Sequence, residues 1–236
     1  MTAASPGPRS LDRAFALLEH LADAGGSAGL AQLARSSGLP AGTVHRIMRS
    51  LLDAGFARQD ASRRYWLGAR LVRLGEAAGG DVAHRAQPLL TALVQEFGET
   101  ASLAMLDGDW VIYLAQVPSP HSMRSSADAG RRARPHCTAV GKALLSQMSE
   151  EKLHALIRRT GMPALTQHTI TTEQALTAEI EQIRANGYAV DDEEQELGLR
   201  CVAVPVDWPG ADLAISVSGP TCRIGTGQLG RIIPAL

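Results

Sequence analysis

The chain of 236 residues is poor in cysteine and has no long apolar run. Its three cysteines, Cys137, Cys201 and Cys222, do not make the disulfide framework of a secreted protein, which favours a reducing cytoplasm. No apolar run approaches the length of about 20 residues that spans a bilayer. The start of the chain, MTAASPGPRS, lacks the apolar core of a signal peptide, and residues 1–8 are expected to be a flexible tail. We therefore expect a cytoplasmic location and no membrane contact.

Dependable metal-binding patterns are also missing. The residues His136, Cys137 and Cys201 do not have the spacing of zinc ligands such as paired CxxC motifs. They could form a Cys-His nucleophilic pair, but no side chain that would orient the histidine is identifiable. We therefore expect no metal, no cofactor and no catalytic residue.

Lysine is absent from the first third of the chain, and charge is unevenly distributed. Residues 1–75 contain ten Arg and five Asp or Glu, a net charge of about +5, whereas the rest carries about -6. A basic N-terminal part joined to an acidic C-terminal part is typical of a nucleic-acid reader attached to a body that does not touch DNA. The hydrophobic content of 45% is enough for one large or two modest domains.

The segment 29–52 predicts two short helices joined at Gly38, where glycine allows a positive φ. Apolar residues recur at helical spacing, so each helix presents an apolar stripe to the other. This pattern is the helix-turn-helix signature. The side chains left outward on the second helix can reach bases and phosphates, and they are Thr43, His45, Arg46, Arg49 and Ser50. The alternative is a solvated face on an ordinary helical hairpin.

The segments on either side favour the DNA-binding interpretation. An amphipathic helix upstream, with Leu17 and Leu21 on its apolar side, could complete a three-helix core. Residues 55–67 downstream form two short extended runs around a polar turn, which predicts a hairpin. A hairpin beside a recognition helix is a wing, and Arg63 and Arg64 at its tip could contact phosphate or enter the minor groove.

The remainder of the chain predicts a mixed α and β receiver domain. Residues 68–80 are helix-like and would connect the two parts, and a second helix follows at about 82–96. Two strands flank the turn at residues 107–109. A further helix opens near Thr138, where unpaired backbone amides would attract an anion such as a small carboxylate.

An acidic cluster at residues 191–194 leads into an apolar strand, and a second strand carries Ser216 and Ser218 on one face. That face is either solvent or a polar cavity. Asp191 belongs either to a solvated acidic loop or to a pocket. Cys201 is either a small core residue or a ligand contact.

These segments together resemble the IclR family of bacterial transcriptional regulators over nearly the whole chain. The strongest motifs are DDEE...LGLRC at residues 191–201 and SVSGP at 216–220, with the loop and helix at 136–145. The resemblance implies a GAF-like or profilin-like domain whose curved antiparallel sheet cups a small molecule. It also implies a homodimer or homotetramer that binds a near-palindromic double-stranded DNA operator.

The resemblance also implies a set of effector contacts. The backbone amides of Ala139 and Val140 would hold a carboxylate, and Leu199 would add an apolar wall. Polar contacts would come from Asp191, Cys201, Ser216 and Ser218. The small residues Ser122, Ser125 and Ala133 imply a roomier or more polar effector than glyoxylate or pyruvate.

We therefore predict an α+β protein with a winged helix-turn-helix domain at 9–68, a linker helix at 69–81 and a GAF-like effector-binding domain at 82–236. Its predicted function is a DNA-binding transcriptional regulator, more specifically a repressor, whose operator binding responds to a small organic acid. The alternative is an enzyme that acts on a small acid and carries an accessory nucleic-acid-binding module.

Overall fold

The computed structural model describes residues 9–77, 81–125, 130–208 and 211–236. The chain divides into two compact units, residues 1–79 and 80–236. The predicted tail, residues 1–8, lies outside the described residues. Within the described ranges, no helix has both the length and the apolar character needed to cross a membrane.

The N-terminal unit contains four helices and a small sheet among its described residues. Its elements are α1 (Arg9–Asp23), β1 (Ser27–Ala28), α2 (Leu30–Ser37), α3 (Ala41–Asp53), β2 (Ala57–Gln59), β3 (Tyr65–Leu67) and α4 (Arg70–Gly75). The strands pair in the order β1-β3-β2, with both pairings antiparallel. The β2-β3 hairpin follows α3 directly along the chain. A hairpin in this position gives the unit the winged helix-turn-helix arrangement.

The core of this unit lies where the apolar stripes of α1, α2 and α3 meet. Leu17 and Leu21 of α1 contribute fully buried side chains, as do Leu33 of α2 and Met48 of α3. Gly38 ends α2 with φ 66°, in the left-handed region that glycine adopts without steric cost. The chain can therefore turn sharply between the two helices, which the packing of their apolar stripes requires.

The C-terminal unit is built on one antiparallel sheet with helices on both faces. Its elements are α5 (Asp81–Phe97), β4 (Thr100–Asp107), β5 (Trp110–Val117), β6 (Arg132–Ala133), α6 (Ala139–Ser146), α7 (Glu150–Thr160), α8 (Glu173–Asn186), β7 (Ala189–Asp192), β8 (Leu199–Trp208), β9 (Ala211–Pro220) and α9 (Thr226–Ile232). Short 3-10 turns lie at Pro135–Cys137 and Ile233–Ala235. The described strands are ordered β6-β5-β4-β9-β8-β7.

Two hydrophobic layers cover opposite faces of this sheet. Leu90 and Phe97 of α5 pack with Val202 and Val217 in one layer. In the other layer α6 packs on the small residues Ala104, Ala203 and Ala214. Because side chains alternate along a strand, Ser216 and Ser218 share the α6 face with Ala214.

A bulge in β5 adjusts which side chains reach the α6 face. Leu103 pairs with Ala115, whereas the next residue, Ala104, pairs with Tyr113, so Leu114 is the extra residue. Tyr113 lies in the α6-side core, and Gln116 Nε2 donates a hydrogen bond of 3.3 Å to Ser102 Oγ. The bulge therefore gathers additional polar side chains on the same face as the serines of β9.

The α+β architecture confirms the predicted fold class, a helix-turn-helix unit followed by a curved antiparallel sheet. The exact domain boundaries and the linker helix at 69–81 remain predictions. The structure describes α4 at Arg70–Gly75 and the start of α5 at Asp81, and residues 78–80 lie outside the described ranges.

Candidate functional site

The outward face of α3 carries the side chains that the sequence assigns to DNA reading. His45, Arg46, Arg49 and Ser50 are exposed and Thr43 is half-buried. The opposite face of the helix is held by four buried residues, which are Val44, Ile47, Met48 and Leu51. The apolar stripe thus fixes the helix on the unit and turns its basic side to solvent.

A wide apolar groove borders one side of this face. It has a volume of about 880 Å³ and lies between α1, α3 and α4, all within the N-terminal unit. We call it the N-terminal groove, and its exposed apolar residues include Leu11, Phe15 and Leu74. Thr43, Arg46 and Ser50 line its edge, whereas His45 and Arg49 do not. The predicted DNA contacts therefore lie in two rows on α3.

The turn of the wing is organised by one carboxylate. Asp60 Oδ1 accepts hydrogen bonds from Ser62 Oγ at 2.6 Å and from Arg64 N at 2.9 Å, and Oδ2 accepts one from Trp66 Nε1 at 2.8 Å. These hydrogen bonds to the charged form, led by the one from Ser62, lower the pKa of Asp60 to about 2. The carboxylate therefore stays ionised and keeps the turn ordered.

The two predicted wing arginines have different surroundings. Arg63 is exposed at the tip with φ 61°, which is a left-handed conformation. The Arg63 amide donates a hydrogen bond to the backbone carbonyl oxygen of Asp60, which helps to maintain this conformation. Arg64 is also exposed, but its Nη2 donates to Ser27 O at 3.0 Å and so ties the hairpin to β1. Sequence reasoning missed Arg58, whose guanidinium lies 4.8 Å from the Trp66 ring centroid.

The C-terminal unit contains a small polar pocket between the sheet and the start of α6. We call it the sheet pocket, and its volume is about 30 Å³. Five of the predicted effector residues line it, namely Ala139, Asp191, Leu199, Cys201 and Ser218. Val140 and Ser216 are buried in the same unit but are not among its lining residues.

Sequence reasoning missed several lining residues, namely Ser102, Tyr113, Arg131, Gln195 and Glu196. The alternation that singles out Ser216 could also have selected Ser102, because the two residues are opposite each other on β9 and β4. The bulge hides Tyr113, since it breaks the alternation along β5. Ser125 and Thr138 complete the lining, which is as polar as the resemblance implies but not roomy.

The start of α6 is fixed tightly beside this pocket. Thr138 caps the helix, and its Oγ1 accepts a hydrogen bond of 3.1 Å from Gly141 N. A Cβ on Gly141 would lie 2.3 Å from the carbonyl oxygen of Pro135, so only glycine permits this close approach. The first turn of α6 consequently presents its amides at a position that the surrounding backbone fixes.

Asp191 is a buried carboxyl group in the pocket wall, with 2% of its surface exposed. Its Oδ1 accepts hydrogen bonds from Glu194 N at 2.8 Å and Gln195 N at 3.4 Å. Burial nevertheless outweighs these bonds and raises the pKa of Asp191 to about 7. Near neutral pH the protonated and the ionised forms of Asp191 are therefore both populated.

A buried ion cluster is connected to Asp191 through Glu194. Lys142 of α6 is 1% exposed, and its Nζ donates to Glu179 Oε1 of α8 at 2.9 Å and to Glu194 Oε1. Burial by itself would lower the pKa of Lys142, but the two carboxylates raise it. Burial also raises the pKa of Glu194, although Lys142 opposes that effect. The lysine therefore remains charged inside the unit.

The two buried cysteines, Cys137 and Cys201, do not have the properties of activated nucleophiles. Burial raises the pKa of Cys137 to about 12 and also raises that of Cys201, so both remain thiols near neutral pH. Burial lowers the pKa of His136, whose Nε2 lies 3.2 Å from the carbonyl oxygen of Pro163. In the part of the chain that the structure describes, no cluster of three or more His, Cys, Asp or Glu has the arrangement of a metal site.

Comparison with known proteins gives the class and the family. Residues 10–61 match the IclR helix-turn-helix domain, and residues 76–236 match the bacterial transcriptional regulator IclR C-terminal domain. The Escherichia coli K12 transcriptional repressor IclR is 37% identical over 223 residues, covering 92% of this chain and 81% of that protein.

Two solved structures extend the similarity to the fold. IclR of Thermotoga maritima is 26% identical with a TM-score of 0.79, and the match covers 97% of this chain and 94% of that one. The PobR inducer-binding domain from Acinetobacter, a double mutant in complex with 3-hydroxybenzoic acid, is 30% identical with a TM-score of 0.61. That match covers 65% of this chain and 92% of the PobR domain.

The winged helix-turn-helix unit and these matches define a DNA-binding transcriptional regulator. More specifically, the chain belongs to the IclR family of bacterial transcriptional regulators.

The buried carboxyl of Asp191 makes stability depend on pH. Its pKa is raised from 3.8 to about 7, so the folded protein holds a proton that the unfolded chain releases, and this stabilisation is lost as pH rises towards 7. Between pH 5 and pH 8, the titration of Asp191 should lower the free energy of unfolding of the wild-type protein by about 2 to 3 kcal/mol. Asp191→Asn lacks this titrating group, so its free energy of unfolding should fall by that much less. Urea denaturation at both pH values measures the difference. Parallel pH profiles for the two proteins would contradict it.

Proposed function

We propose that this protein is a transcriptional repressor whose operator binding is controlled by a small organic acid in the sheet pocket. The observation that carries the proposal is the convergence of Asp191, Ser218 and the start of α6 on one polar cavity. The E. coli relative is named a repressor, and the PobR domain was solved with an aromatic acid. A regulator of transcription acts where the chromosome lies, so we propose a cytoplasmic location. We also propose that the protein binds its effector without converting it.

For DNA recognition, we propose that α3 lies in the major groove with the wing beside it. Arg49 and His45 form the row that is free of the N-terminal groove, and they would reach base edges or phosphates. Arg46, Thr43 and Ser50 form the other row, and they would contact the same stretch of DNA. On the wing, Arg63 is the better candidate for a phosphate contact, because Arg64 already donates to Ser27.

The substitution Arg49→Ala directly tests this arrangement. An operator is first selected from random-sequence duplexes with the full-length protein, and its affinity is measured by fluorescence anisotropy. We expect Arg49→Ala to weaken operator binding by about 1 to 3 kcal/mol, the usual loss for one arginine contact to DNA.

Arg158→Ala is the matched control, because it removes the same charge from an exposed site on α7. It should leave the affinity unchanged. Wild-type affinity for Arg49→Ala, or an equal loss in the control, would refute the assignment of α3 as the recognition helix.

For effector binding, we propose that a carboxylate is held by the amides at the start of α6, with Ala139 and Val140 supplying the N–H groups. The helix N-terminus favours negative charge, and the protonated form of Asp191 can donate a hydrogen bond to it. Arg131 and Ser218 supply further polar atoms to the cavity. Ser216 would support this wall from within the sheet, since it pairs with Ser102.

The size of the sheet pocket favours a short acid. A volume of about 30 Å³ holds about two water molecules. Any acid would therefore displace lining side chains such as Tyr113 or Gln195, and a ligand of aromatic size would displace more of them than a short acid would. We therefore propose a short, polar carboxylic acid as the effector.

Thermal denaturation with pyruvate and with 3-hydroxybenzoate compares the two sizes. A ligand that binds only the folded state stabilises it by about 2.7 kcal/mol at a hundred times Kd, which raises Tm. We expect pyruvate to give the larger rise in the wild-type protein. Asp191→Ala should abolish that rise and keep operator affinity.

Asp192→Ala is the control, because the adjacent Asp192 is exposed, pairs with Arg200 and does not line the pocket. It should retain the rise in Tm. Full retention of the rise in Asp191→Ala would refute the proposed role of the pocket, and loss of operator affinity as well would point to misfolding.

For assembly, we propose that a second copy of the chain covers the part of the N-terminal groove between α1 and α4, which leaves Thr43, Arg46 and Ser50 on its α3 side open to DNA. Leu11 and Phe15 of α1 are 52% and 64% exposed, and Leu74 of α4 is 42% exposed. Together they leave a continuous apolar surface, which is unusual on a monomer. A two-fold dimer formed here would pair two α3 helices for half-sites about 34 Å apart, the arrangement of a near-palindromic operator.

The assembly proposal predicts that a charge in the groove separates the copies. Phe15→Glu should cost the monomer little, because the side chain is exposed there, but it would bury an unpaired charge in the dimer. Light scattering after gel filtration should show a smaller species. Leu165→Glu, at a site 50% exposed on the C-terminal unit, should keep the wild-type mass. An unchanged mass for Phe15→Glu would rule out this interface.

A further inference from the structure

The buried pair Lys142–Glu194 lies outside the sheet pocket, yet it holds part of the pocket wall. Neither residue is among the lining residues. Lys142 and Glu194 are 1% and 6% exposed, so the pair is enclosed by protein on nearly all sides. Within the described residues, Glu194 Oε2 is buried without a hydrogen-bond partner. A polar pair retained at this desolvation cost is the strongest structural feature that the proposed function has not used.

Glu194 reaches the pocket through its backbone. Its amide donates to Asp191 Oδ1, while its side chain is turned to Lys142. Its carbonyl oxygen accepts a hydrogen bond of 2.6 Å from Thr169 Oγ1 and one of 3.3 Å from Thr166 Oγ1. The residue therefore joins α6, the loop at 166–169 and Asp191 at one point.

We propose that Lys142 and Glu194 are positioning residues of the sheet pocket, which fix Asp191 in place and determine whether it meets a bound acid as a carboxyl or a carboxylate. The inference rests on the proposed function of the pocket as an acid site. It assigns the pair a role in binding beyond the packing of α6.

The charges of Glu194 and Lys142 act on Asp191 in opposite directions. Glu194 raises the pKa of Asp191 by repulsion, and Lys142 lowers it by attraction. The other titratable groups around Asp191 come from β5, the turn before α6, β8 and the pocket rim, and they are Tyr113, Cys137, Cys201, Arg131 and Glu196. Of all these groups, only Lys142 and Glu194 form a buried ion pair tied to the Asp191 hydrogen bonds.

The test is a titration of Asp191 itself, which needs no ligand. The full-length protein is labelled with 13C at the aspartate carboxyl carbons, and the Asp191 signal is assigned by its loss in Asp191→Asn. In Glu194→Gln, which keeps the shape and the acceptor for Lys142, we expect the midpoint to move to lower pH. In the double variant Lys142→Met with Glu194→Gln, both charges are gone, and the midpoint should move back towards that of wild type.

Glu179→Gln is the matched control, because it removes the other carboxylate that binds Lys142 without touching the Asp191 hydrogen bonds. It should shift the midpoint less than Glu194→Gln does. An unchanged midpoint in Glu194→Gln, or an equal shift in Glu179→Gln, would overturn the proposal. Circular dichroism confirms that each variant is folded. Since no acid is added, failure of pyruvate to bind would count against the proposed function alone.

Discussion

The charge of a lysine enclosed by protein is the constraint on which the C-terminal unit depends. The residues of α6 from Ala139 to Leu145 are all buried, so Lys142 has no route to solvent. Burying an unpaired ammonium group is far more costly than any single packing gain, so the fold must bring carboxylates to it. Glu179 comes from α8, and Glu194 comes from the loop after β7. The loop that carries Glu194 continues into Gln195 and Glu196, which line the sheet pocket together with Ala139 at the start of α6.

The same constraint explains why Asp191 is buried. Its carboxyl accepts the amides of Glu194 and Gln195 and so holds the start of the loop that carries the partner of Lys142. Asp192, one position further along the strand, faces the other way and forms an exposed ion pair with Arg200. Two adjacent aspartates therefore have opposite environments, because successive side chains on a strand point to opposite faces.

The parts of the fold that the sequence predicts well are those set by local periodicity. The repeat of Val44, Ile47 and Leu51 identifies α3 because a helix must bury one stripe, and Gly38 marks the turn because of its positive φ. The local pattern does not predict the environment of the acidic cluster, since four consecutive carboxylates are usually solvated. The burial of Glu194 within this cluster depends on Lys142, which lies 52 positions earlier, and periodicity contains no information about such a pair. Likewise, no local pattern shows that Arg64 donates to Ser27.

The protonation state of Asp191 determines how the sheet pocket meets a negatively charged ligand. The rise in the pKa of Asp191 from 3.8 to about 7 corresponds to about 4 kcal/mol between its two protonation states. An ionised Asp191 repels a bound carboxylate, whereas the protonated form can donate a hydrogen bond to it. In the proposed function, the protonation state of this one carboxyl therefore favours or opposes the binding of an acid.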